Sequence, residues 1–548
     1  MTTTRGRWWA LVALSFAVLA VGIDLTVLNV ALPTLGESLH ASTSQLQWFV
    51  DSYSLVLAAL LLPAGILADR LGRKRLLLIA LTVFAATSAA CAYAGSPSAL
   101  VGARALLGVG AAVILTVSLS ILAVLFPTDE ERLKATALVM GSTMLGYPLG
   151  PLIGGWLLDR FWWGSVFLIN VPVAVVALVV IALLMPESRR AHAPRLDGAG
   201  VLLTSLLLST LGLVGVTYGV IQAGQDGWGS RGAIAALVAG VAALAAFVAW
   251  ERRVPAHHGE PLIDLGLFRS ARFTWGTVLA TMVSFALFGL LFAMPQYFQG
   301  VMGVGPLGSG TRMLPFIGGF VVGAGLATRL QGSRAGGEML TPARPMVGVN
   351  VVATLGFAFM AAALFFGAAT GVGSSTGRVA LWFVVCGFGL GFALPATMSV
   401  ALGALSPEQA GVGSGLLMVC RQVGATIGVA VLGTVLNSVY RDHLDVAGVP
   451  AAVAGLARDG VATGSIVAQK LGDVALGRSV RSAFVTSLDV MLVVCGGIAV
   501  GALFLALAFL PRRSGSTPTP TRASGEVVSA DDGIPGSTLG AAVSSQTP

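Results

Sequence analysis

A carboxylate inside a long apolar segment is the first residue of this sequence that could do chemistry. Asp24 lies within residues 9–32, a run with the roughly 20 apolar residues that cross a bilayer. A charge at the centre of such a helix costs on the order of 3 kcal/mol, so we expect Asp24 to face the protein interior rather than lipid. With about 100° of rotation per residue, Thr26 and Asn29 lie on roughly the opposite side of the helix. The pattern predicts a titratable acid facing a cavity and small polar groups facing neighbouring helices.

Two further charged residues lie near the depth of Asp24. At about 1.5 Å per residue, Asp24 lies roughly 22 Å from the cytoplasmic end of its helix, and Arg104 lies about 9 Å from the outer end of the fourth helix. In a core of about 30 Å these depths nearly coincide, and Asp51 of the second helix shares this level. Arg104 needs an acidic partner, which is Asp24 or Asp51. The sequence leaves open whether such a pair is functional or a permanent structural pair.

The composition specifies the helices that position these charges. The 548-residue chain is 56% apolar and 10% charged, whereas charged residues make up about a quarter of soluble domains. A soluble globule is excluded, and we expect an all-α polytopic membrane protein. The apolar runs predict fourteen transmembrane helices, at residues 9–32, 46–67, 76–95, 98–124, 135–158, 165–185, 199–221, 232–250, 273–297, 307–328, 346–368, 379–403, 411–436 and 482–510.

The basic residues predict the orientation of these helices. Most Lys and Arg residues fall in segments that are cytoplasmic if the N-terminus is inside, whereas the short outer loops hold only Arg160, Arg231 and Arg378. The positive-inside rule then places both termini in the cytoplasm. The strong preference for Arg over Lys is typical of a GC-rich bacterium. We expect a multi-pass protein of the bacterial cytoplasmic membrane, embedded in its lipid bilayer.

The first cytoplasmic loop, residues 65–75, combines one acid with several bases. Gly65 and Gly72 are expected to bracket a tight turn, and Arg70 and Arg73 to anchor the loop at the membrane surface. Asp69 could cap the positive N-terminal end of a nearby helix. That helix would open at residues 406–409, Ser-Pro-Glu-Gln, a capping box with proline at its first position. Acids at residues 129–131 could pair with the loop arginines, and such contacts would depend on conformation.

The fifth helix contains a repeat of small residues. Gly146, Gly150 and Gly154 recur every four residues on one face, where another helix can approach closely. Pro148 and Pro151 remove backbone donors and bend the helix. Gly155 extends the motif. We expect a bent, pliable helix that packs tightly in one conformation.

Weak internal similarity predicts two related halves. Residues 107–111 resemble residues 388–392, and residues 65–70 resemble residues 325–330. Two copies that meet at a midplane cavity are the usual plan of a rocking transporter. The predicted domains are a six-helix bundle at 1–190, two inserted helices at 191–260, a second six-helix bundle at 261–510 with a long outer loop at 437–481, and a disordered cytoplasmic tail at 511–548.

Several chemistries are not expected. The four cysteines fall inside apolar runs and form no spaced framework, so we expect neither disulfides nor a metal site. The glycine pattern at 303–308 matches a dinucleotide motif, but it follows no strand and lies in an outer loop. Walker and HExxH motifs are missing from the sequence. We therefore expect no enzyme activity, no cofactor, no nucleic-acid partner and a monomer.

Taken together, these motifs resemble those of the major facilitator superfamily. Asp24-Leu-Thr-Val-Leu-Asn-Val-Ala-Leu-Pro33 is similar to the helix 1 motif, residues 65–75 to the loop 2–3 motif, and Arg104 with Gly108 to the helix 4 motif. Residues 146–155 resemble the helix 5 motif that accompanies exporters. The resemblance covers about residues 8–510. More narrowly, the chain resembles the fourteen-helix drug:proton antiporters that export quaternary ammonium compounds, dyes and antibiotics.

The resemblance implies a proton-coupled efflux antiporter for lipophilic, drug-like compounds, with protons as the second partner. It assigns proton coupling and cation recognition to Asp24 and Arg104, and the outer entrance to Asp51. It assigns the inner gate to Asp69 and Arg73, and the switch between states to Gly150 and Pro151. A proton symporter or importer, and a membrane sensor that binds ligands without transporting them, are alternative functions.

The second half departs from the pattern of multidrug relatives. Some relatives carry further carboxylates in helices 10 and 13, where this chain has Arg312 and Arg421. Asp489 in helix 14 is then almost the only buried acid of that half. These secondary candidates make a preference for dications doubtful and favour monovalent lipophilic cations or neutral antibiotics.

Overall fold

A computed structural model describes residues 4–126, 128–188, 199–257, 265–331, 347–406 and 409–510, and within these ranges the chain is helical with no strand. Among the described residues, thirteen helices are long and apolar enough to span a membrane, and a sharply bent one makes fourteen, as predicted. They are α1 Thr4–Ser38, α2 Thr43–Leu71, α3 Arg73–Ala92, α4 Pro97–Ser120, α5 Asp129–Arg160, α6 Ser165–Leu184, α7 Ala199–Asp226, α8 Arg231–His257, α9 Ala271–Gln296, α10 Pro306–Leu330, α11 Val349–Gly367, α12 Thr376–Leu402, α13 Ala410–His443 and α14 Val474–Phe509.

Three of these helices are interrupted. Helix α6 breaks at Ile169, between Ser165–Leu168 and Asn170–Leu184. Helix α5 bends by 45° between Tyr147 and Leu149, because Pro148 supplies no backbone N–H. This bend agrees with the sequence prediction. Helix α10 breaks at Met313, between an outer segment Pro306–Arg312 and an inner segment Leu314–Leu330.

The packing of the helices repeats along the chain. In the first half α1 packs on α5, α2 on α4, α3 on α4 and α3 on α6. Adding eight to each number gives the main contacts of the second half: α9 on α13, α10 on α12, α11 on α12 and α11 on α14. The same correspondence converts one of the two main contacts between the halves, α2 with α13, into the other, α5 with α10. The helices therefore form two bundles with the same pattern of packing.

The inserted helices α7 and α8 pack on each other, and α7 also contacts α2 and α13. Three side chains of α13 hold α7 in place. Thr434 Oγ1 donates to Val220 O at 3.0 Å, Asn437 Nδ2 to Gly224 O at 3.2 Å and Arg441 Nη1 to Gln225 O at 2.7 Å. Helix α7 is thus hydrogen-bonded to the second bundle and lies beside the contact between α2 and α13.

The prediction of a long outer loop at 437–481 is wrong in extent. Helix α13 continues to His443, α14 begins at Val474, and two short helices, Ala451–Arg458 and Val461–Leu471, lie between them. Asp473 caps the start of α14 by accepting from Ala475 N and Leu476 N. Both long helices therefore extend beyond the apolar runs from which their ends were predicted, and the segment between them is mostly helical.

The predicted turn between Gly65 and Gly72 is also wrong. Helix α2 continues to Leu71, and only Gly72, with φ +100°, separates it from α3. This backbone conformation is readily adopted by glycine. The proline of the predicted capping box at 406–409, the tail from residue 511 and the side chains of Asp69 and Asp129 lie outside the part of the chain that the structure describes.

Candidate functional site

The carboxylate of Asp24 lies in a sealed polar cluster in the first bundle. Its Oδ2 accepts from Arg104 Nη1 at 2.7 Å, and its Oδ1 accepts from Asn170 Nδ2 at 3.0 Å. Asp24 is 0% exposed and Arg104 1% exposed. Of the two acids that the sequence offered to Arg104, the structure pairs it with Asp24. Asp24 does not face an open cavity in this conformation, contrary to the sequence expectation.

The guanidinium of Arg104 is held on several sides. Its Nε donates to Phe49 O at 3.0 Å, and its central carbon lies 4.3 Å from the ring centroid of Tyr53 and 5.9 Å from that of Phe167. Aromatic faces attract cations, and a desolvated site strengthens this attraction. The cation is therefore bound by α1, α2 and α6 at once, through its anion, a backbone carbonyl and two rings.

Two polar residues of this cluster were missed by the sequence reasoning. Asn170 of α6 also lies 3.5 Å from Ser88 Oγ of α3, and both residues are buried. The signal for Asn170 was its place as an amide within a strongly apolar helix, where a buried polar group requires partners. Asp24 is thus connected to α3, α4 and α6.

Asp51 differs from Asp24 in having no partner. It is 0% exposed, and neither carboxylate oxygen makes a hydrogen bond to any residue that the structure describes. An ionised carboxylate in such a site would be costly, whereas the neutral acid is tolerated more easily. The structure thus contains one fully partnered carboxylate and one partnerless carboxylate on adjacent helices of the same bundle.

The glycines of the α5 motif allow very close contact with α1. A Cβ atom at Gly146 would lie 2.7 Å from Gly22 Cα, and one at Gly154 would lie 2.8 Å from Val27 Cγ2. A Cβ atom at Gly150 would overlap Thr26 Oγ1. The predicted small-residue face is therefore the contact between α1 and α5, and Thr26 points to a neighbouring helix as expected.

A neighbouring face of the same motif, about 100° around the helix, reaches the second bundle. A Cβ atom at Gly155 would lie 2.8 Å from Pro306 O and 2.9 Å from Leu307 Cα, and Gly310 packs equally closely on Pro151 O. These contacts involve only the outer segment of α10, since its inner segment packs on α12. One motif thus connects the Asp24 helix to the other half of the molecule.

Further contacts join the halves at the end that the sequence predicts to be outer. Gln299 Nε2 donates to Val30 O at 2.9 Å. Thr43 donates from its N and its Oγ1 to Asp459 O, at 2.8 and 2.7 Å. Tyr440 OH fixes the short helices of this cap by donating to Ala457 O at 2.9 Å. The two bundles are therefore in tight contact at this end.

At the opposite end, the predicted gating residues surround the single-residue turn. Arg73 donates from its N to Ser188 O and from Nη1 to Ser120 O, both at 3.1 Å. Arg70 is partly buried beside it, and Gly65 faces Thr116 of α4. This turn therefore ties α3 to the ends of α4 and α6.

Two of the acids expected near this turn, Glu130 and Glu131, have contacts elsewhere. Glu131 lies 3.6 Å from Arg7 and Glu130 lies 2.6 Å from Lys134. Their carboxylates therefore bind bases outside residues 65–75.

The secondary candidates lie apart from one another in the second bundle. Arg421 of α13 contacts Ser284 of α9, and Arg312 Nη1 donates to its own helix at Gly308 O, at 3.1 Å. Asp489 of α14 is half-buried, with Oδ1 lacking a hydrogen bond, and interacts electrostatically with Tyr297. Among the described residues, no three His, Cys, Asp or Glu side chains form a metal-binding group.

The family model of the Major Facilitator Superfamily matches residues 14–429. This chain belongs to the major facilitator superfamily. Like other members, it is a multi-pass membrane protein with a transporter fold. Its helix 1, loop 2–3, helix 4 and helix 5 motifs all lie within the matched residues.

Several curated superfamily members are similar over most of their length. The tetracenomycin C resistance and export protein of Streptomyces glaucescens is 34% identical over 92% of both chains. The multidrug efflux pump LfrA of Mycolicibacterium smegmatis is 36% identical over 86% of this chain and 89% of its own. The methyl viologen resistance protein SmvA of Salmonella typhimurium is 32% identical over 79% and 83%.

Solved structures show the same fold. A bacterial homologue of the human lysosomal transporter Spinster, in an inward-facing and occupied conformation, superposes with a TM-score of 0.64 at 16% identity. The match covers 92% of this chain and 97% of that one. At this identity the likeness concerns the superfamily fold alone.

Proposed function

We propose that this superfamily member exports lipophilic, drug-like compounds across the bacterial cytoplasmic membrane in exchange for protons. The observation that carries the proposal is the buried Asp24–Arg104 pair beside the partnerless carboxylate of Asp51. Ionisable groups at membrane depth serve proton relays and substrate pathways. The names of the relatives, which concern drug resistance and export, support efflux as the direction.

Asp24 and Asp51 have different roles in the proposed proton coupling. In this conformation Asp24 forms an ion pair with Arg104 and accepts a further hydrogen bond from Asn170. Asp51 holds the proton, because no donor or cation stabilises its anion. A proton that reached Asp24 would neutralise it and release Arg104 from its ion pair, which links protonation to the packing of α1, α4 and α6. One charge crossing 100 mV supplies about 2.3 kcal/mol to drive this exchange.

Alternating access would proceed by rocking of the two bundles. The predicted outer end is closed here by the contacts of Gln299 and Thr43, and these must separate to open it. The glycine faces of α5 act as the switch because they pack on both α1 and α10. Residues around Gly72, including Asp69, Arg70 and Arg73, form the inner gate. Both termini lie in the cytoplasm, and the transporter works as a monomer.

Proton-driven ethidium transport in everted membrane vesicles tests this proposal. Asp24→Asn and Asp51→Asn should each abolish gradient-driven accumulation while the protein remains in the membrane. Asp226→Asn, which makes the same chemical change at the exposed end of α7, should transport normally.

Retained gradient-driven transport by Asp24→Asn would refute the coupling role. Accumulation in right-side-out vesicles instead would indicate an importer. Saturable ethidium binding without transport in either orientation would indicate a sensor.

A further inference from the structure

Arg421 lies in the middle of the membrane, where the second bundle faces the first. It is about 17 Å from the inner end of α13, close to the centre of a core of about 30 Å. Arg421 is partly exposed, so its side chain is not sealed in the way that Arg104 is. Tyr147 of α5, in the first bundle, interacts electrostatically with Arg421. The guanidinium is therefore within electrostatic range of the first bundle.

The charge of Arg421 is not neutralised by the protein. Its Nε donates to Ser284 Oγ at 3.2 Å, and its Nη1 lies 3.6 Å from the sulfur atoms of Met398 and Met418. Within the described ranges, no Asp or Glu lies within 4.0 Å of it. Its Nη2 makes no hydrogen bond to a described residue and is not among the buried nitrogens.

Arg421 lacks the buried counter-ion that Arg104 has. Arg104 is sealed, and its charge is balanced by Asp24 at 2.7 Å. Asp51, the other acid at this level, has no cation beside it and is neutral in the proposed mechanism. In this conformation the centre of the molecule therefore offers a ligand a positive charge at Arg421 and no free carboxylate of the first bundle.

The neighbours of Arg421 define the class of ligand. A guanidinium binds carboxylate and phenolate oxygens through paired, charge-assisted hydrogen bonds. The thioethers of Met398 and Met418 provide a soft apolar surface that adapts to flat, irregular molecules. We propose that Arg421 binds an acidic oxygen, a carboxylate or an ionised phenol, of an aromatic compound carried by this transporter. The inference rests on the proposed function and adds acidic aromatic compounds to the cationic or neutral compounds expected from the sequence.

Export of two dyes by a pump-deficient host tests this assignment. Fluorescein carries a carboxylate and an ionised phenol, whereas ethidium is a cation of similar size. Arg421→Gln should lower the rate of fluorescein export at least about tenfold and leave ethidium export within about twofold. Arg421→Lys keeps the charge without the paired donors and should give an intermediate rate. Arg378→Gln, at the exposed start of α12, is the matched control and should change neither rate.

Separate outcomes judge the two proposals. Equal losses of both dyes in Arg421→Gln, or a wild type that exports ethidium and not fluorescein, would overturn the assignment of Arg421. A wild type that exports neither dye would instead contradict the proposed function. Fluorescein binding to purified protein, measured by anisotropy, then decides the role of Arg421: binding weakened about tenfold by Arg421→Gln supports it, and unchanged binding refutes it. If Arg421→Gln does not fold, Arg421→Lys serves in both assays.

Discussion

The buried ion pair predicts strong energetic coupling between Asp24 and Arg104. Each single substitution, Asp24→Asn or Arg104→Gln, leaves one charge buried without its counter-ion, which typically costs about 3–5 kcal/mol of unfolding free energy. The double variant buries two neutral amides of matching shape. It should therefore be less destabilised than the sum of the single losses, by about 3 kcal/mol.

Equilibrium unfolding in mixed micelles, titrated with a denaturing detergent and followed by tryptophan fluorescence, measures this coupling. The pair Glu130–Lys134 is a matched control, because its atoms are just as close, at 2.6 Å, but its side chains are 78% and 53% exposed. Exposed pairs contribute little, so the same amide substitutions there should show no resolvable coupling. Additive losses at Asp24 and Arg104 would refute the reasoning, since they would mean that each charge is stabilised independently of the other.

Three further predictions concern the helix contacts and the outer cap. Gly150→Ala should impair transport and stability because its Cβ would lie 2.9 Å from the α1 backbone. Gly141→Ala on the same helix is the control, because its Cβ meets nothing within 4 Å. If the two substitutions had equal effects on thermal stability and ethidium export, this explanation would be contradicted. In Gly36→Cys/Ala462→Cys the Cβ atoms would lie 3.7 Å apart, within the disulfide range of about 3.5–4.5 Å. Oxidation should then stop export and reduction restore it, and export by the cross-linked form would disprove the need for outer opening. Burial raises the pKa of Asp459, so the ionised carboxylate destabilises the cap above that pKa. Asp459→Asn should therefore raise the melting temperature at pH 7.5 but not at pH 3, where Asp459 is itself neutral. A rise in melting temperature that is independent of pH would exclude the explanation.

The number of helices was predictable because each span must provide a long apolar run. Because only Asp24 and Asp51 lie near the membrane depth of Arg104, the sequence limited its possible acidic partners to these two residues. The choice between them depends on the rotation of α1 and α2 about their axes, which a single sequence does not determine. Asn170 and Ser88 were missed because uncharged polar groups carry little signal within apolar helices until their partners are known.

The errors occurred where helices extend beyond the apolar core. Hydropathy falls near residue 437, yet α13 continues because Asn437 and Arg441 bond to α7. Likewise, residues 65–71 are compatible with a helix, so α2 continues to Leu71 and the turn is formed by Gly72. Hydropathy predicts which part of a helix crosses the membrane, whereas the ends of these helices are determined by caps and by contacts between helices.

The position of α7 makes the two routes from the lipid phase into the interior unequal. Helices α7 and α8 lie beside the seam between α2 and α13, with α7 hydrogen-bonded to α13. Helices α5 and α10 are not covered by α7 or α8 and carry exposed apolar side chains, such as Leu145 and Val322, which are 61% and 63% exposed. A hydrophobic molecule dissolved in the bilayer therefore meets a covered flank on one side of the protein and a bare flank on the other.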